Sequence, residues 1–274
     1  MTPTKKAILF FSAVIAVIMV LGPVYLLVKY ALSDVSSINT GGQPLPLWPY
    51  HPTFRNFLYL FSDRNFYAVV LNSLFIASAT VGVSMALGVP ASYVLARIPI
   101  PGKSALLIGL ISVRLFPDIA SVVPVTELFL KLNIQNTYVG VILAHTLLAL
   151  PYVIFIGTSA FEPIPRDLEQ QAITMGANGF QVFFRVVLPL AIPGLIAAAI
   201  YTFLLSWDEF IFAYFLLGLG KLSTLTLYLK QKMTYAPPQN ILAAISVFLS
   251  VPVVVMSLAL QRYMTAGITS GAVK

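Results

Sequence analysis

Residues 162–189 read EPIPRDLEQQAITMGANGFQVFFRVVLP, the most polar long interval of the chain, set between two very apolar blocks. Pro165 suits a first helical turn, where its missing N–H costs nothing, and Asp167 brings negative charge to the positive end of the helix. Leu168, Ala172 and Met175 recur at i, i+4 and i+7, which makes one apolar stripe. Gly176 can end the helix in a left-handed cap, and Asn178 can cap a second helix that continues into the next apolar block. A helix this short cannot bury its stripe alone. It lies on the lipid surface or docks on a partner.

Outward from this loop, composition sets the class. Of 274 residues, 59% are hydrophobic and 9% charged, with a mean hydropathy of +0.92. A soluble globular chain carries about 25% charged residues. The apolar runs exceed the roughly 20 residues that a spanning helix needs, and they lack the alternation of a barrel strand. The expected fold class is an all-α polytopic membrane protein, a single domain over 1–274 with the polar loop at 163–189. Its six helices are expected at about 7–30, 67–97, 104–132, 136–161, 186–217 and 241–261. The run from Ala7 to Val28 is longer than the apolar region of a signal peptide, about 7–15 residues, and reads as an uncleaved first helix. The formal charge of +7 suits cytoplasmic loops and lipid headgroups rather than nucleic acid. Lys and Arg near the helix ends divide almost evenly between the two sides, so charge alone does not orient the chain.

Several chemistries are excluded. There is no cysteine, which removes disulfides, thiolate metal sites and cysteine nucleophiles. Gly102-Lys103-Ser104 is not a phosphate loop, because Arg97 stands where that loop needs its first glycine. The histidines, His51 and His145, lie in different regions, and no metal or nucleophile motif accompanies them. His145 reads as a hydrogen-bonded packing residue. The chain reads as no enzyme.

Polar residues inside apolar runs are the remaining candidates. Arg114 and Asp118, spaced i, i+4, can pair on one helical face, either as an internal structural pair or as lining of a pathway. Trp207, Asp208 and Glu209 lie about 20 residues beyond the root of the polar loop, roughly 30 Å up the helix, near the outer mouth. They suit a substrate vestibule or gate, and equally an interfacial anchor. Asn72 can bond a substrate or a neighbouring helix. The connection from Gly218 to Asn240 is longer than the roughly 2–8 residues usual between helices of a bundle, and it carries Lys221, Lys230 and Lys232 beside Tyr228 and Tyr235.

The order Gln170-Gln171-Ala172, three residues, Gly176, nine residues, Val186, then Leu188-Pro189 resembles the "EAA" loop of ABC importer permeases. Gln170 stands where Glu is usual in that family, with Glu169 one residue earlier. Leu71-Asn72-Ser73-Leu74, Ser206-Trp207-Asp208-Glu209-Phe210 and the tail from Ala266 to Lys274 look like the carbohydrate-uptake branch, nearest to the smaller permease of maltose-type importers. The resemblance implies the type I importer permease fold and a coupling helix, with Leu168, Glu169, Gln170, Gln171, Ala172, Met175 and Gly176 facing a cytoplasmic ATPase. It also implies both termini in the cytoplasm of a prokaryote. The implied partners are a second homologous permease, two ATPase subunits that hold ATP and Mg, and an extracytoplasmic sugar-binding protein reached by Lys221, Tyr228, Lys230, Lys232 and Tyr235. No cofactor on this chain is implied. An ion-coupled transporter, with Arg114, Asp118 and Glu127 as its relay, and a non-transporting scaffold are the alternatives. Neither would need an ATPase.

Overall fold

The computed structural model describes residues 3–34, 47–49, 51–218, 220–234 and 238–271. Among these the long elements are α1 (Pro3–Ala31), α3 (Arg64–Arg97), α6 (Tyr138–Phe161), α9 (Leu188–Asp208) and α12 (Gln239–Gly271). Shorter helices lie between them: α2 (Arg55–Ser62), α4 (Lys103–Ser112), α5 (Asp118–Lys131), α7 (Arg166–Thr174), α8 (Gly179–Gln181), α10 (Ile211–Leu217) and α11 (Leu225–Thr234). Among the described residues five stretches are long and apolar enough to cross a membrane: Leu9–Ala31, Arg64–Arg97, Tyr138–Phe161, Gly179–Asp208 and Gln239–Ala259.

The single helix expected over 104–132 is two pieces, Lys103–Leu115 and Asp118–Lys131, meeting at 91°. Phe116 (φ −68, ψ 135) and Pro117 (φ −57, ψ 132) are extended. The proline ring bars the residue before it from the helical region and removes an N–H from the ladder. The span expected over 186–217 also differs. It starts at Gly179, passes through a π-helical segment, Val182–Val187, and stops at Asp208. Glu209 (φ −66, ψ 128) then turns the chain into α10. The connection 218–240 holds α11, and α12 runs on to Gly271, past the expected end at 261. Residues 272–274 of the tail lie outside the described residues.

The packing forms two units. The first comprises Met1–Ala68 and Tyr228–Val251. Here Asn56 Nδ2 donates to the carbonyls of Ala31 (2.8 Å) and Ser33 (2.9 Å), and Asn240 Nδ2 donates to Asn56 Oδ1 (2.7 Å). These buried amides tie the ends of α1 and α12 to α2. Phe66 packs edge-on against Phe248 at 5.1 Å between ring centres.

The second unit comprises Val69–Leu227 and Pro252–Lys274. One core cluster joins Val122, Val141, Leu148, Phe212 and Leu216, and a second joins Val89, Phe161, Val182, Val187 and Leu195. In lipid, helices associate by close packing, which favours small residues where backbones approach. A Cβ on Gly194 of α9 would collide with Ala160 of α6, and one on Gly157 of α6 would collide with Ser92 of α3. Ser92 Oγ also donates to the Gly88 carbonyl at 2.7 Å, so its hydroxyl is satisfied in that tight space.

Gly157→Val should force α3 and α6 apart at a cost of roughly 1–3 kcal/mol, the usual range for overpacking. Gly82→Val is the control, since a Cβ there meets nothing within 4 Å. Thermal unfolding in detergent should show a lower midpoint for the first variant and none for the second; equal midpoints would contradict the close approach.

Candidate functional site

The polar loop is a two-sided helix held between two caps. Pro165 (φ −59, ψ 133) immediately precedes α7. At the other end Gly176 adopts φ +92. The Ala177 N–H bonds the Ala172 carbonyl (3.0 Å) and the Gly176 N–H bonds that of Ile173 (2.9 Å), the paired closure that a left-handed glycine permits. Asn178 then opens α8 with a reciprocal cap: its Oδ1 accepts the Gln181 N–H and Gln181 Oε1 accepts its own, both at 2.9 Å.

One side of α7 faces the protein. Glu169 accepts the Tyr93 hydroxyl at 2.7 Å and pairs with Arg97, both on α3. Arg166 Nη2 donates to the Arg97 carbonyl at 2.8 Å, and Ala172 is half-buried against the cluster around Phe161 and Val182. The other side is open: Leu168 is 37% exposed, Ile173 58% and Met175 88%, with Gln170 and Gln171 also exposed. The expected Leu168/Ala172/Met175 stripe is therefore divided. Ala172 is small enough to let α7 lie on the protein, while Leu168 and Met175 on one flank and Ile173 on the other stay exposed. Glu169 is an inward anchor.

The polar residues within the spans are mostly committed to the protein. Asn72 donates to the Ser223 carbonyl (3.0 Å) and accepts the Tyr138 hydroxyl (2.6 Å), which is the helix-joining role. Trp207 is buried and stacks on Phe203, with ring centres 5.9 Å apart and planes at 13°. Glu209 accepts the backbone N–H groups of Phe212 (2.7 Å) and Ala213 (2.9 Å) and stands 3.2 Å from His145 Nε2. His145 Nδ1 lies 2.7 Å from Ser206 Oγ. Of the trio at 207–209, Asp208 alone is exposed.

Arg114 and Asp118 do pair, Nη1 to Oδ1 at 2.9 Å, but across the break between α4 and α5 rather than along one helical face. Asp118 occupies the first turn of α5, where the helix dipole favours an anion. The Arg114 guanidinium lies 5.9 Å from the ring centre of Tyr152, whose ring is 4.7 Å from that of Tyr201. Neither tyrosine stands out in the sequence, because each is one more aromatic residue in an apolar run.

In the connection 218–240, Lys221 and Lys230 are exposed. Tyr228 is buried, and its hydroxyl donates to Asp63 Oδ2 at 2.8 Å. Lys232 reaches the same oxygen at 3.5 Å and sits 5.0 Å over the Tyr228 ring. Tyr228 thus belongs to the packing rather than to an exposed surface, and Tyr235 lies outside the described residues. Burial pushes the Asp63 carboxyl up, but the Tyr228 hydroxyl, the Asn65 N–H and Lys232 together hold it below its ordinary value. Its charged form is therefore favoured in the folded chain: this tether holds above the ordinary carboxylate range and is lost as pH falls through the lowered pKa.

Among the described residues no group of three or more His, Asp or Glu could hold a metal ion. Residues 64–270 match the family described as binding-protein-dependent transport system inner membrane component. The chain is 30% identical over 270 residues to the sulfoquinovosyl glycerol transport system permease protein SmoH of Agrobacterium fabrum, covering 98% of this chain and 94% of that protein. It is 32% identical over 255 residues to the trehalose transport system permease protein SugB of Mycobacterium tuberculosis, covering 92% of each. To the trehalose/maltose transport system permease protein MalG of Thermococcus litoralis it is 28% identical, covering 98% of this chain and 97% of that one. Among solved structures, a chain of a bacterial ABC transporter involved in the import of the acidic polysaccharide alginate shares its fold. The TM-score is 0.79 at 21% identity, over 96% of this chain and 98% of the other. Matched across residues 64–270 and along nearly the full length of its relatives, this chain belongs to the binding-protein-dependent transport system inner membrane components.

Proposed function

We propose that this chain is one of two membrane subunits of an ATP-driven importer of a carbohydrate. Its relatives named for trehalose, maltose and sulfoquinovosyl glycerol transport support the substrate class. In this reading α7 is the coupling helix, seated on a cytoplasmic ATPase subunit, and both termini lie on that side. A second permease completes the pathway, ATP and Mg bind to the ATPase subunits, and an extracytoplasmic binding protein delivers the sugar.

The observation that carries this reading is the two-sidedness of α7. Glu169, Arg166 and Ala172 fasten it to the protein, while Leu168, Ile173 and Met175 stay exposed along its two flanks. A helix fixed from within and open on its outer side transmits displacement. Movement of a docked ATPase would pass through Glu169 to α3 and through the Gly176–Asn178 turn to the root of α9, and the packed helices would rearrange as bodies about the pathway.

Met175→Arg and Ile173→Arg should each weaken retention of the ATPase subunits at least ten-fold when the complex is purified through a tag on this chain. The helices themselves should keep their far-ultraviolet circular dichroism. Undiminished retention in both variants would refute docking at this helix.

Gly176→Val tests the turn. A β-branched residue in the left-handed region costs roughly 1–2 kcal/mol, so the turn should open and uptake should fall far more than ATPase binding does. The check is sugar uptake per ATP hydrolysed in proteoliposomes, and an unchanged ratio would contradict the assignment.

Lys221 and Lys230 should meet an acidic surface of the binding protein. Replacing both with Glu should reduce the stimulation of ATP hydrolysis by loaded binding protein several-fold at low salt. The difference should shrink near 1 M salt, where charges are screened beyond about 3 Å. Equal stimulation at low salt would exclude the contact.

A further inference from the structure

We propose that Arg114, Asp118, Tyr152 and Tyr201 form a contact point for a saccharide ring at mid-depth in this subunit. The inference rests on the carbohydrate reading above and adds the place on this chain where the substrate is held.

Depth is the first consideration. Arg114 stands eleven positions beyond Lys103, which at 1.5 Å per residue is roughly 16 Å along the helix, about half of a hydrocarbon core of roughly 30 Å. Tyr152 lies near the middle of α6, Tyr138–Phe161. At that depth the Asp118 side chain is 33% exposed and that of Arg114 15%. A carboxylate open to that extent faces protein or a water-filled space, since acyl chains would not tolerate it.

Unused hydrogen-bonding capacity is the second. A guanidinium carries five N–H donors. Among the described residues Arg114 makes one hydrogen bond, from Nη1 to Asp118, and its Nε is buried without a partner. A pair that served only to neutralise its own charges would not leave a buried donor idle.

The third is the chemistry that surrounds the pair. Tyr152 lies under the guanidinium, Tyr201 packs beside Tyr152, and Tyr201 is 36% exposed. Arg114, alone of the four, also borders a mainly apolar cavity of about 350 Å³ lined from α4, α5, α6 and α10. A pyranose has an apolar C–H face and a rim of hydroxyls, each of which donates and accepts. An aromatic ring meets the face. The planar guanidinium donates to the rim, and the carboxylate accepts from it. The break at Phe116–Pro117 brings these groups together, because it lets Arg114 and Asp118 project from two helices set at 91°.

The test uses the assembled complex in proteoliposomes, with loaded binding protein in excess and radiolabelled trehalose, maltose and sulfoquinovosyl glycerol as probes. Arg114→Lys keeps the charge and loses the planar fork; Tyr201→Ala removes the ring and Tyr201→Phe restores it. For every probe that the unmodified complex carries, Arg114→Lys and Tyr201→Ala should slow uptake at least ten-fold, with the ATPase subunits still bound. Tyr201→Phe should recover most of the rate. Unchanged uptake in the alanine variant overturns the proposal. So does loss of uptake together with loss of the second permease, which would mark the cluster as a subunit interface. Should Arg114→Lys fail to assemble, the Tyr201 pair decides. If the unmodified complex carries none of the probes, the carbohydrate reading itself fails, and this inference with it.

Discussion

Where a helix stops inside a bilayer, no water is there to satisfy its free N–H and C=O groups or any charge nearby, so the protein must supply every partner. The broken span at α4–α5 and the turn at the end of α9 each meet that demand with a carboxylate. At the break before α5, Asp118 sits in the new first turn and holds Arg114. At the break after α9, Glu209 caps α10 through the N–H groups of Phe212 and Ala213, and its own carbonyl takes the Thr226 hydroxyl at 2.8 Å. Asp118 is also paired with Arg114 on the other side of its break, and Glu209 with His145 of α6. The breaks are therefore joints with defined angles.

The same logic reaches the polar loop with water at hand. There the exposed turn closes by backbone geometry and by the Asn178–Gln181 pair, while the half-buried carboxylate of Glu169 is used to fasten α7 to α3. Capping and anchoring are separate tasks on this helix. Separation leaves Leu168, Ile173 and Met175 of this helix exposed to different extents.

The polar loop was the most legible part of the sequence, because its grammar is local. A short helix, a glycine after it that needs φ > 0 and an asparagine that opens the next helix all act within a few residues, and all appear in the structure. The spanning helices were legible by length and apolarity. Their interruptions were not, since Pro117 lies in a run whose hydropathy reads straight through it. The partners of the buried polar groups were hidden for another reason. His145 and Glu209 are 64 positions apart, and no spacing rule connects them. The trio at 207–209 reads equally as a vestibule or an interfacial anchor, because hydropathy does not say which way a side chain turns; Trp207 and Glu209 turn inward. The Tyr228 region misleads similarly. Its composition is that of a surface loop, yet Asp63, far away in sequence, draws the ring inside.

The π-helical segment at Val182–Val187 has a bearing on everything above it. A wider turn takes in one more residue than an α-turn, and since an α-helix advances about 100° per residue, one extra residue rotates all that follows by about that angle. Ser206 meets His145, and Trp207 turns inward, only with this offset in place. The azimuth of α9 is thus set at its foot, beside the turn that follows α7. A one-residue shortening between Val182 and Val187 would leave the helix as long and as apolar as before, but would swing its polar residues away from their partners.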